Sequence, residues 1–167
     1  MILKGNVWKL GDGISTDHII PGRFYHLRSD LEGLASHVFE DISPGFYNKV
    51  RDGDILVAGH NFGLGSSREH APLVLKLAGI EAVVARSFAR IFYRNAINVG
   101  LAAVICDIDG IEEGDELELK IEEGVLLDPS RRIERRFSPL PAIMRDILAE
   151  GGLVAYMKRY GGFRLAE

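Results

Sequence analysis

The sequence predicts an α/β fold in which parallel strands are joined by crossover helices and an antiparallel, β-rich part follows. The first observation is that apolar runs typical of buried strands, at 54–58, 82–85 and 101–106, alternate with helical patterns, at 73–78 and 88–97. This alternation indicates a parallel sheet, because parallel strands need long connections. The second observation is the exchange of polar and apolar residues at 115–121, which is typical of a half-exposed antiparallel strand.

The amino-terminal half opens with a short predicted strand at 7–10, which ends at the turn Gly11-Asp12-Gly13. We expect a structured loop at 14–22. The spacing of apolar residues at 31–39 predicts a helix. Gly79 is the expected C-terminal cap of the helix that precedes it, since glycine readily adopts the left-handed conformation that closes many helices.

The carboxyl-terminal half is predicted to be a meander followed by two helices. Strands at 125–127 and 133–137 complete the meander with the half-exposed strand. Helices are predicted at 141–150 and 153–160, and each is followed by a pair of glycines. The sequence contains no repeat and no linker, so we expect a single domain over residues 1–167.

The composition predicts a globular protein with a substantial core. Of the 167 residues, 47% are hydrophobic and 26% are charged, and the net charge of -4 argues against a dedicated nucleic-acid binder. No apolar run approaches the roughly 18 residues that a membrane helix needs. The first residues lack the layout of a signal peptide, so we predict a cytoplasmic location and no membrane partner.

The single cysteine, Cys106, limits what the chain can bind by itself. It excludes an internal disulfide and a four-cysteine zinc or iron–sulfur site within this chain. Because Cys106 ends an apolar run, a buried and inert thiol is the favoured interpretation. The five histidines show no metal-binding pairing, and we expect no metal ligands from this chain.

The run from Gly59 to Ala71 is the strongest candidate for a functional site. It follows a predicted buried strand and contains three glycines, two adjacent serines and an arginine (Gly59, Gly63, Gly65, Ser66, Ser67 and Arg68). Glycines allow a close backbone approach, hydroxyls donate hydrogen bonds, and a guanidinium suits a carboxylate or phosphate. The pattern predicts an anion-binding turn. It does not match the dinucleotide, P-loop or serine-hydrolase motifs.

A helix cap is the alternative interpretation of the same run. Ser66 and Glu69 have the spacing of a capping box. Pro72 would then lie inside the helix, where its ring clashes with an earlier carbonyl. We therefore expect the helix to begin nearer Glu69, with the serines in the turn ahead of it.

Two further motifs leave their interpretation open. Asp17 and His18 are adjacent in the segment 15–21, where they can stabilise a turn or take part in chemistry. Arg86, Arg90 and Arg94 are four residues apart and would share one face of a helix. That face is either solvated and ion-paired, or it contacts an anionic ligand or an acidic partner.

Together these motifs resemble the small subunits of the 3-isopropylmalate dehydratase and homoaconitase group of the aconitase superfamily. The resemblance rests on Val7-Trp8-Lys9-Leu10-Gly11-Asp12, Ser15-Thr16-Asp17-His18-Ile19-Ile20-Pro21, Gly53-Asp54-Ile55, Asn61-Phe62-Gly63-Leu64-Gly65-Ser66-Ser67-Arg68-Glu69-His70-Ala71 and Ser87-Phe88-Ala89-Arg90-Ile91-Phe92-Tyr93-Arg94-Asn95. It extends in order over nearly the whole chain and implies a swivelling β/β/α domain, like the aconitase C-terminal domain.

The resemblance also implies a division of labour between two chains. A separate large subunit would carry a [4Fe–4S] cluster on its own cysteines, in a heterodimer or heterotetramer with this chain. The implied reaction is the dehydration and rehydration of a small 2-hydroxy di- or tricarboxylate. For isopropylmalate, it would interconvert the 2- and 3-isomers in leucine biosynthesis.

The resemblance assigns roles to six residues. Ser66 matches the catalytic base, Ser67 and Arg68 match the residues that hold a substrate carboxylate, and Asp17 and His18 match an active-site loop. Arg28 lies in a segment, 25–30, that matches the part of the family that selects substrates.

The sequence leaves more than one substrate and more than one functional class open. Arg28 favours the second anionic arm of homocitrate, whereas the apolar character of Tyr25 and Leu27 favours isopropylmalate. A homoaconitase subunit, or the subunit of a related malate-homologue dehydratase, is therefore the alternative. A free-standing carboxylate- or RNA-binding module is a third hypothesis, and the acidic net charge weighs against RNA.

Overall fold

The structure, a computed structural model, describes residues 1–164. Within them, strands form at β1 (Ile2–Lys9), β2 (Asp54–Ala58), β3 (Ile80–Ala85), β4 (Ala102–Ile105), β5 (Glu116–Lys120), β6 (Val125–Asp128) and β7 (Ile133–Arg136). Helices form at α1 (Thr16–Ile19), α2 (Leu31–Ala35), α3 (Phe46–Lys49), α4 (His70–Ala78), α5 (Arg90–Asn98), α6 (Ala142–Ala149) and α7 (Leu153–Tyr160). A 3₁₀ segment spans Gly22–Leu27.

The strands form one sheet in the order β4-β3-β2-β1-β5-β6-β7. The half from β4 to β1 is parallel, and the half from β1 to β7 is antiparallel. Strand β1 belongs to both halves, because its end pairs with β2 at Val7–Lys9 and its start pairs with β5 at Ile2–Asn6. The predicted α/β class is confirmed, with both the parallel part and the meander in place.

Burial explains why the parallel and antiparallel halves of the sheet have different patterns of polar and apolar residues. Every residue of β2 is buried, and β3 is buried except at Glu81, as expected for strands covered by helices on both faces. In β5 exposed and buried residues alternate, because one face of the meander meets solvent. Helices α6 and α7 pack together and against α5.

The two ends of the sheet curl towards each other and are joined by an ion-pair cluster. Arg86, just after β3, donates to Asp107 at 2.9 Å and pairs with Asp109. Arg135 of β7 donates to the other oxygen of Asp107 at 3.2 Å. We call these four residues the edge cluster. The backbone N–H of Asp109, assisted by Arg86 and Arg135, lowers the pKa of Asp107 below its ordinary value of 3.8.

The edge cluster corrects one expectation. Arg86, Arg90 and Arg94 do not share a helix face, because α5 begins at Arg90 and Arg86 lies outside it. Arg86 has acidic partners that are distant in the sequence, which explains why none is apparent near it. Arg90 and Arg94 remain exposed, and neither forms an ion pair within residues 1–164.

The helix predicted at 31–39 is wrong in its second half. Helix α2 ends at Ala35, and Phe39 takes a left-handed conformation with φ of 56°. There its N–H donates to the carbonyl of Ile19 at 3.1 Å, and its buried ring packs edge-to-face on Phe46 at 5.1 Å. Burial of this ring therefore overrides the helical spacing.

The loop predicted at 14–22 contains a short helix. Ser15 caps α1 by accepting from the N–H of His18 at 3.1 Å. The other differences are in length: β1 begins at Ile2, ahead of the predicted strand, and α4 begins at His70. The final helix and the glycine cap of α4 are as predicted, with Gly79 at φ of 114°.

The remaining predictions about single groups concern the thiol and metals. Cys106 is buried as predicted, and burial raises the pKa of its thiol. No group of three or more histidine, cysteine or acidic residues is placed to hold a metal ion within residues 1–164. In the same part of the chain, no helix has both the length and the apolar character needed to cross a membrane.

Candidate active site

Three loops meet at one edge of the sheet, where the parallel strands β1, β2 and β3 end. The first leads into α1, the second is the glycine- and serine-rich run, and the third leads into α5. Carboxyl ends of parallel strands are where ligands of α/β proteins commonly bind. The predicted anion turn therefore lies at the position that favours binding.

Backbone hydrogen bonds hold these loops side by side beyond the ends of the strands. Gly63 donates to the carbonyl of Ile14 at 2.7 Å, and Thr16 donates to that of Leu64 at 2.8 Å. On the other side, Ala89 donates to the carbonyl of Phe62 at 2.9 Å. The middle loop is thus fixed between its two neighbours.

Two glycines of the middle loop occupy positions that disfavour a side chain, by backbone conformation at both and by a steric clash at Gly63. Gly63 has φ of +82°, and a Cβ there would lie 2.2 Å from the side chain of Phe92. Gly65 has φ of +102°, and a Cβ there would approach the hydroxyl of Thr16 to 3.3 Å. These glycines let the loop lie directly against α1 and α5.

Ser66 lies in the turn ahead of α4 and does not cap the helix. The N-cap is Glu69, with no side-chain capping bond, and Pro72 sits in the first turn, where proline is tolerated. The expectation that the helix begins near Glu69 is confirmed. The Ser66 carbonyl accepts from the Thr16 hydroxyl at 3.0 Å and from the Arg68 N–H at 2.8 Å, while the residue is exposed.

The serine turn, which we define as residues 65–68, forms one wall of a cleft of about 370 Å³. Gly65, Ser66, Ser67 and Arg68 line one side of this cleft, which we call the serine cleft. The opposite side is the first turn of α5, with Arg90, Ile91 and Asn95. The cleft has room for a small carboxylate ligand, with hydroxyl and guanidinium donors on its walls.

Arg68 is partly buried, and three neighbours hold its guanidinium. Nη1 donates to the carbonyl of Ile20 at 3.2 Å and lies 3.7 Å from the carboxylate of Asp17. The guanidinium carbon lies 4.7 Å from the centre of the Tyr25 ring. The side chain is therefore held in one orientation before any ligand binds.

Asp17 and His18 have different surroundings although they are adjacent. The Asp17 carboxylate accepts from the N–H of Gly22 at 3.1 Å and faces Arg68. The Nδ1 atom of His18 accepts from the N–H of Ser15 at 3.0 Å, which leaves the proton of the neutral ring on Nε2. The structure thus brings Asp17 to Arg68, whereas the hydrogen bonds of the His18 ring within residues 1–164 go to Ser15.

Arg28 lies just after the 3₁₀ segment and shares the Tyr25 ring with Arg68. Its guanidinium carbon is 5.4 Å from the ring centre, and Nη1 is 3.4 Å from the Tyr25 carbonyl. The structure therefore joins Arg28 to Arg68 through the Tyr25 ring, but Arg28 does not line the serine cleft.

Comparison with known proteins gives a family match and several similar relatives. The Aconitase C-terminal domain family matches residues 28–107. The 3-isopropylmalate dehydratase small subunit 2 of Archaeoglobus fulgidus is 58% identical over 165 residues, 99% of this chain and 100% of the relative. The small subunit 1 of Thermotoga maritima is 56% identical over 163 residues, 97% and 98% of the two chains.

The chain belongs to the family of 3-isopropylmalate dehydratase small subunits.

A solved structure agrees with this membership. The crystal structure of 3-isopropylmalate dehydratase from Methanocaldococcus jannaschii matches with a TM-score of 0.90 and 46% identity, over 96% of each chain. The family resemblance and the fold predicted from it are confirmed, including the likeness to the aconitase C-terminal domain.

Sequence reasoning gave no individual role to Thr16 or Asn95, and it took Tyr25 only as an apolar residue of the substrate-selecting segment. Thr16 anchors the serine turn, Tyr25 carries two arginines, and Asn95 lines the cleft. The spacing of Tyr25 and Arg28 along the chain was a usable signal for their contact. The approach of Tyr25 to Arg68, more than forty residues away, was not readable from the sequence.

Proposed function

We propose that this chain is the small subunit of a heteromeric hydro-lyase that interconverts 2-isopropylmalate and 3-isopropylmalate by dehydration and rehydration in leucine biosynthesis. The observation that carries the proposal is the serine cleft, where exposed Ser66 lies next to a guanidinium held in place. The names and the high identity of the relatives support it.

In the proposed reaction, Ser66 removes the proton from the carbon next to a carboxylate. A serine hydroxyl is a weak base unless its anion is stabilised. The amino-terminal end of α4 begins four residues later, and Arg68 lies two residues away. We propose that both contribute positive potential at the Ser66 oxygen and so favour its alkoxide form.

Ser67 and Arg68 are proposed to hold a substrate carboxylate beside that base. The guanidinium is preorganised by Ile20, Asp17 and Tyr25, so little conformational entropy is lost when a ligand binds. Asp17 is proposed to keep Arg68 oriented in the empty site. His18 is proposed to support the loop, which agrees with its bonds to Ser15.

The departing hydroxyl would need help from a Lewis acid. The single cysteine, Cys106, is buried just after β4, and within residues 1–164 no group of three or more potential ligands is placed to hold a metal ion. We therefore propose that a [4Fe–4S] cluster belongs to the large subunit, where it would supply Lewis-acid chemistry.

The large subunit is proposed to bind over the serine cleft, along the outer face of α5. Ile91 is 48% exposed there, between the exposed arginines Arg90 and Arg94. An apolar groove of about 530 Å³ continues from it towards Met144 and Phe163. Contiguous exposed apolar surface is typical of an interface. We propose a heterodimer or heterotetramer in which residues 1–167 act as one swivelling domain in the cytoplasm.

A homocitrate-type substrate is the second candidate, and one observation favours it. Arg28 and Arg68 contact the same aromatic ring, and a second anionic arm of a ligand is proposed to pair with Arg28. The names of the relatives favour isopropylmalate. The alternative enzymes are a homoaconitase and a related malate-homologue dehydratase.

Reconstitution tests the proposal. The purified chain is combined with a cluster-loaded large subunit, and conversion of 2-isopropylmalate is followed. We expect turnover by the wild-type pair and a loss of at least about 100-fold in Ser66→Ala, because general-base catalysis contributes roughly 10²–10⁴-fold. Assembly should be unchanged.

The matched control is Ser138→Ala, which removes an exposed hydroxyl outside the serine cleft. It should keep full activity. A pair that is inert towards every 2-hydroxy acid in a substrate panel would contradict the proposed function. Normal turnover by Ser66→Ala would remove Ser66 as the base.

A further inference from the structure

The Tyr25 ring is the contact shared by two cationic side chains of the site. The guanidinium of Arg68 lies 4.7 Å from its centre and that of Arg28 lies 5.4 Å from it. A guanidinium over an aromatic face is attracted by the negative charge of the ring face. The ring is therefore a common contact of two cationic side chains.

The other contacts of Arg68 do not determine the plane of its guanidinium. The Ile20 carbonyl and the Asp17 carboxylate both approach the same nitrogen, Nη1. Two contacts at one end of a planar group leave it free to rotate about that end. The Tyr25 ring, whose centre lies 4.7 Å from the guanidinium carbon, is a contact away from that end of the group.

Tyr25 is itself held by the helix that follows the serine turn. Its ring packs edge-to-face on His70, the first residue of α4, with 5.7 Å between the ring centres. Tyr25, Ser67, Arg68 and His70 line a second, polar cleft of about 410 Å³. The ring thus has a defined position relative to the turn that carries Ser66.

We propose that Tyr25 is a positioning residue that sets the plane of the Arg68 guanidinium for the substrate carboxylate. This inference rests on the proposed function. Because bidentate binding of a carboxylate requires the guanidinium and carboxylate planes to match, loss of the ring weakens substrate binding. Tyr25 does not line the serine cleft, so we expect most of the loss to appear in KM and little of it in kcat.

The test measures kcat and KM for 2-isopropylmalate with the reconstituted pair. In Tyr25→Leu we expect kcat/KM to fall roughly 3- to 30-fold, mainly through KM, from the usual range of a cation–π contact. Tyr25→Phe keeps the ring face and should stay within about twofold of wild type.

Tyr160 supplies a matched control. Its ring also carries two arginines, Arg159 at 5.4 Å and Arg164 at 4.8 Å, but it lines neither cleft of the site. Tyr160→Leu should therefore leave KM unchanged. The inference is overturned if Tyr25→Leu behaves as wild type, if its loss lies in kcat alone, or if Tyr25→Phe is equally impaired.

A double-mutant cycle distinguishes action through Arg68 from a general effect on the fold. In an Arg68→Lys background, which retains the charge but loses the planar stack, Tyr25→Leu should add less than twofold to KM. Full additivity of the two effects would contradict the inference.

A readout without turnover separates this inference from the proposed function. NMR of the Arg68 side chain in the isolated chain should show ring-current shifts that persist in Tyr25→Phe and vanish in Tyr25→Leu. If the wild-type pair is inactive but these shifts are present, the proposed function fails and the orientation of Arg68 by Tyr25 stands. Averaged, unshifted Arg68 signals in the wild type overturn the inference itself.

Discussion

At the scale of single residues, the serine turn depends on Gly63 and Gly65, two positions that disfavour a side chain. The loop approaches α5 so closely that Gly63 faces the ring of Phe92, and it approaches α1 so closely that Gly65 faces Thr16. Positive φ at both positions adds a backbone requirement to the steric one. The position of Ser66 is therefore set by residues without chemistry of their own.

Gly63→Ala tests this dependence. We expect it to reduce the free energy of unfolding by roughly 2–5 kcal/mol, from left-handed backbone strain and overpacking against Phe92. Chemical denaturation followed by circular dichroism measures the change. Gly11→Ala is the control, since a Cβ there meets nothing within 4 Å, and it should lie within about 0.5 kcal/mol of wild type. Equal stability of the two variants would show that the loop has room to adjust.

Arg28→Val tests the residue proposed to select substrates. Arg28 is exposed and its described contacts are with Tyr25, so its removal should not disturb the core. Any turnover of tricarboxylate homologues should fall at least about tenfold, because an unpaired carboxylate loses a charge-assisted hydrogen bond. Turnover of isopropylmalate should stay within about threefold. A parallel loss of both activities in a substrate panel would argue against selection by Arg28.

At the scale of elements, α5 connects the cleft to the proposed partner. Its first turn forms one wall of the serine cleft, and its exposed face continues into the apolar groove beside α6. The helix is held at its start by the bond from Ala89 to Phe62, which belongs to the middle loop. A partner that binds α5 therefore also contacts the rim of the site.

Ile91→Glu tests the partner surface. Placing a carboxylate in an apolar contact should raise the dissociation constant of the complex with the large subunit at least about tenfold. Calorimetry or analytical ultracentrifugation measures the constant. Ile105→Glu is the control, because Ile105 is 55% exposed on strand β4 and lines no cleft of the site. Equal weakening by both variants would place the interface elsewhere.

At the scale of the whole molecule, the edge cluster joins the parallel and antiparallel halves of the sheet. The pKa of Asp107 is lowered by the N–H of Asp109 and by two guanidinium groups. A carboxyl group with a lowered pKa in the folded state stabilises that state above its unfolded pKa. The stabilisation is lost as pH falls through the folded value, which lies below 3.8.

Asp107→Asn should therefore lower the melting temperature at neutral pH by a few degrees at most, since the group is partly exposed to solvent. The difference from wild type should shrink as pH falls below about 4 and as salt concentration rises. Thermal unfolding across pH measures both trends. Asp146→Asn, at an exposed position of α6, is the control and should show neither. A difference that is constant with pH would contradict the ion-pair explanation.

Much of this architecture is predictable because its signals are local. Buried parallel strands and alternating antiparallel strands differ in sequence pattern, and the glycine- and serine-rich run is contained within thirteen consecutive residues, 59–71. What the sequence did not predict depends on distant contacts. Helix α2 ends at Ala35 because the ring of Phe39 packs on Phe46 and its N–H donates to the carbonyl of Ile19. Arg86 lies outside α5 and donates to Asp107.

The same distinction applies to the site. The placing of Ser66 ahead of a helix follows from Pro72, which is local. The meeting of Arg68 with Asp17 and Tyr25 requires the fold, because the loop after β1 must be brought against the loop after β2. The roles of Ser66, Ser67, Arg68, Asp17, His18 and Arg28 stay predictions for the experiments above.

The curling of the sheet has a consequence for how the chain behaves before it meets its partner. Strands β4 and β7 are the two edge strands of the sheet, and an unpaired edge strand can pair with another copy of the chain and start aggregation. Here Arg135 reaches Asp107, and the thiol of Cys106 faces the carbonyl of Arg136 at 4.0 Å, so the two edges shield each other. We therefore expect copies of the free chain to have little tendency to pair edge to edge.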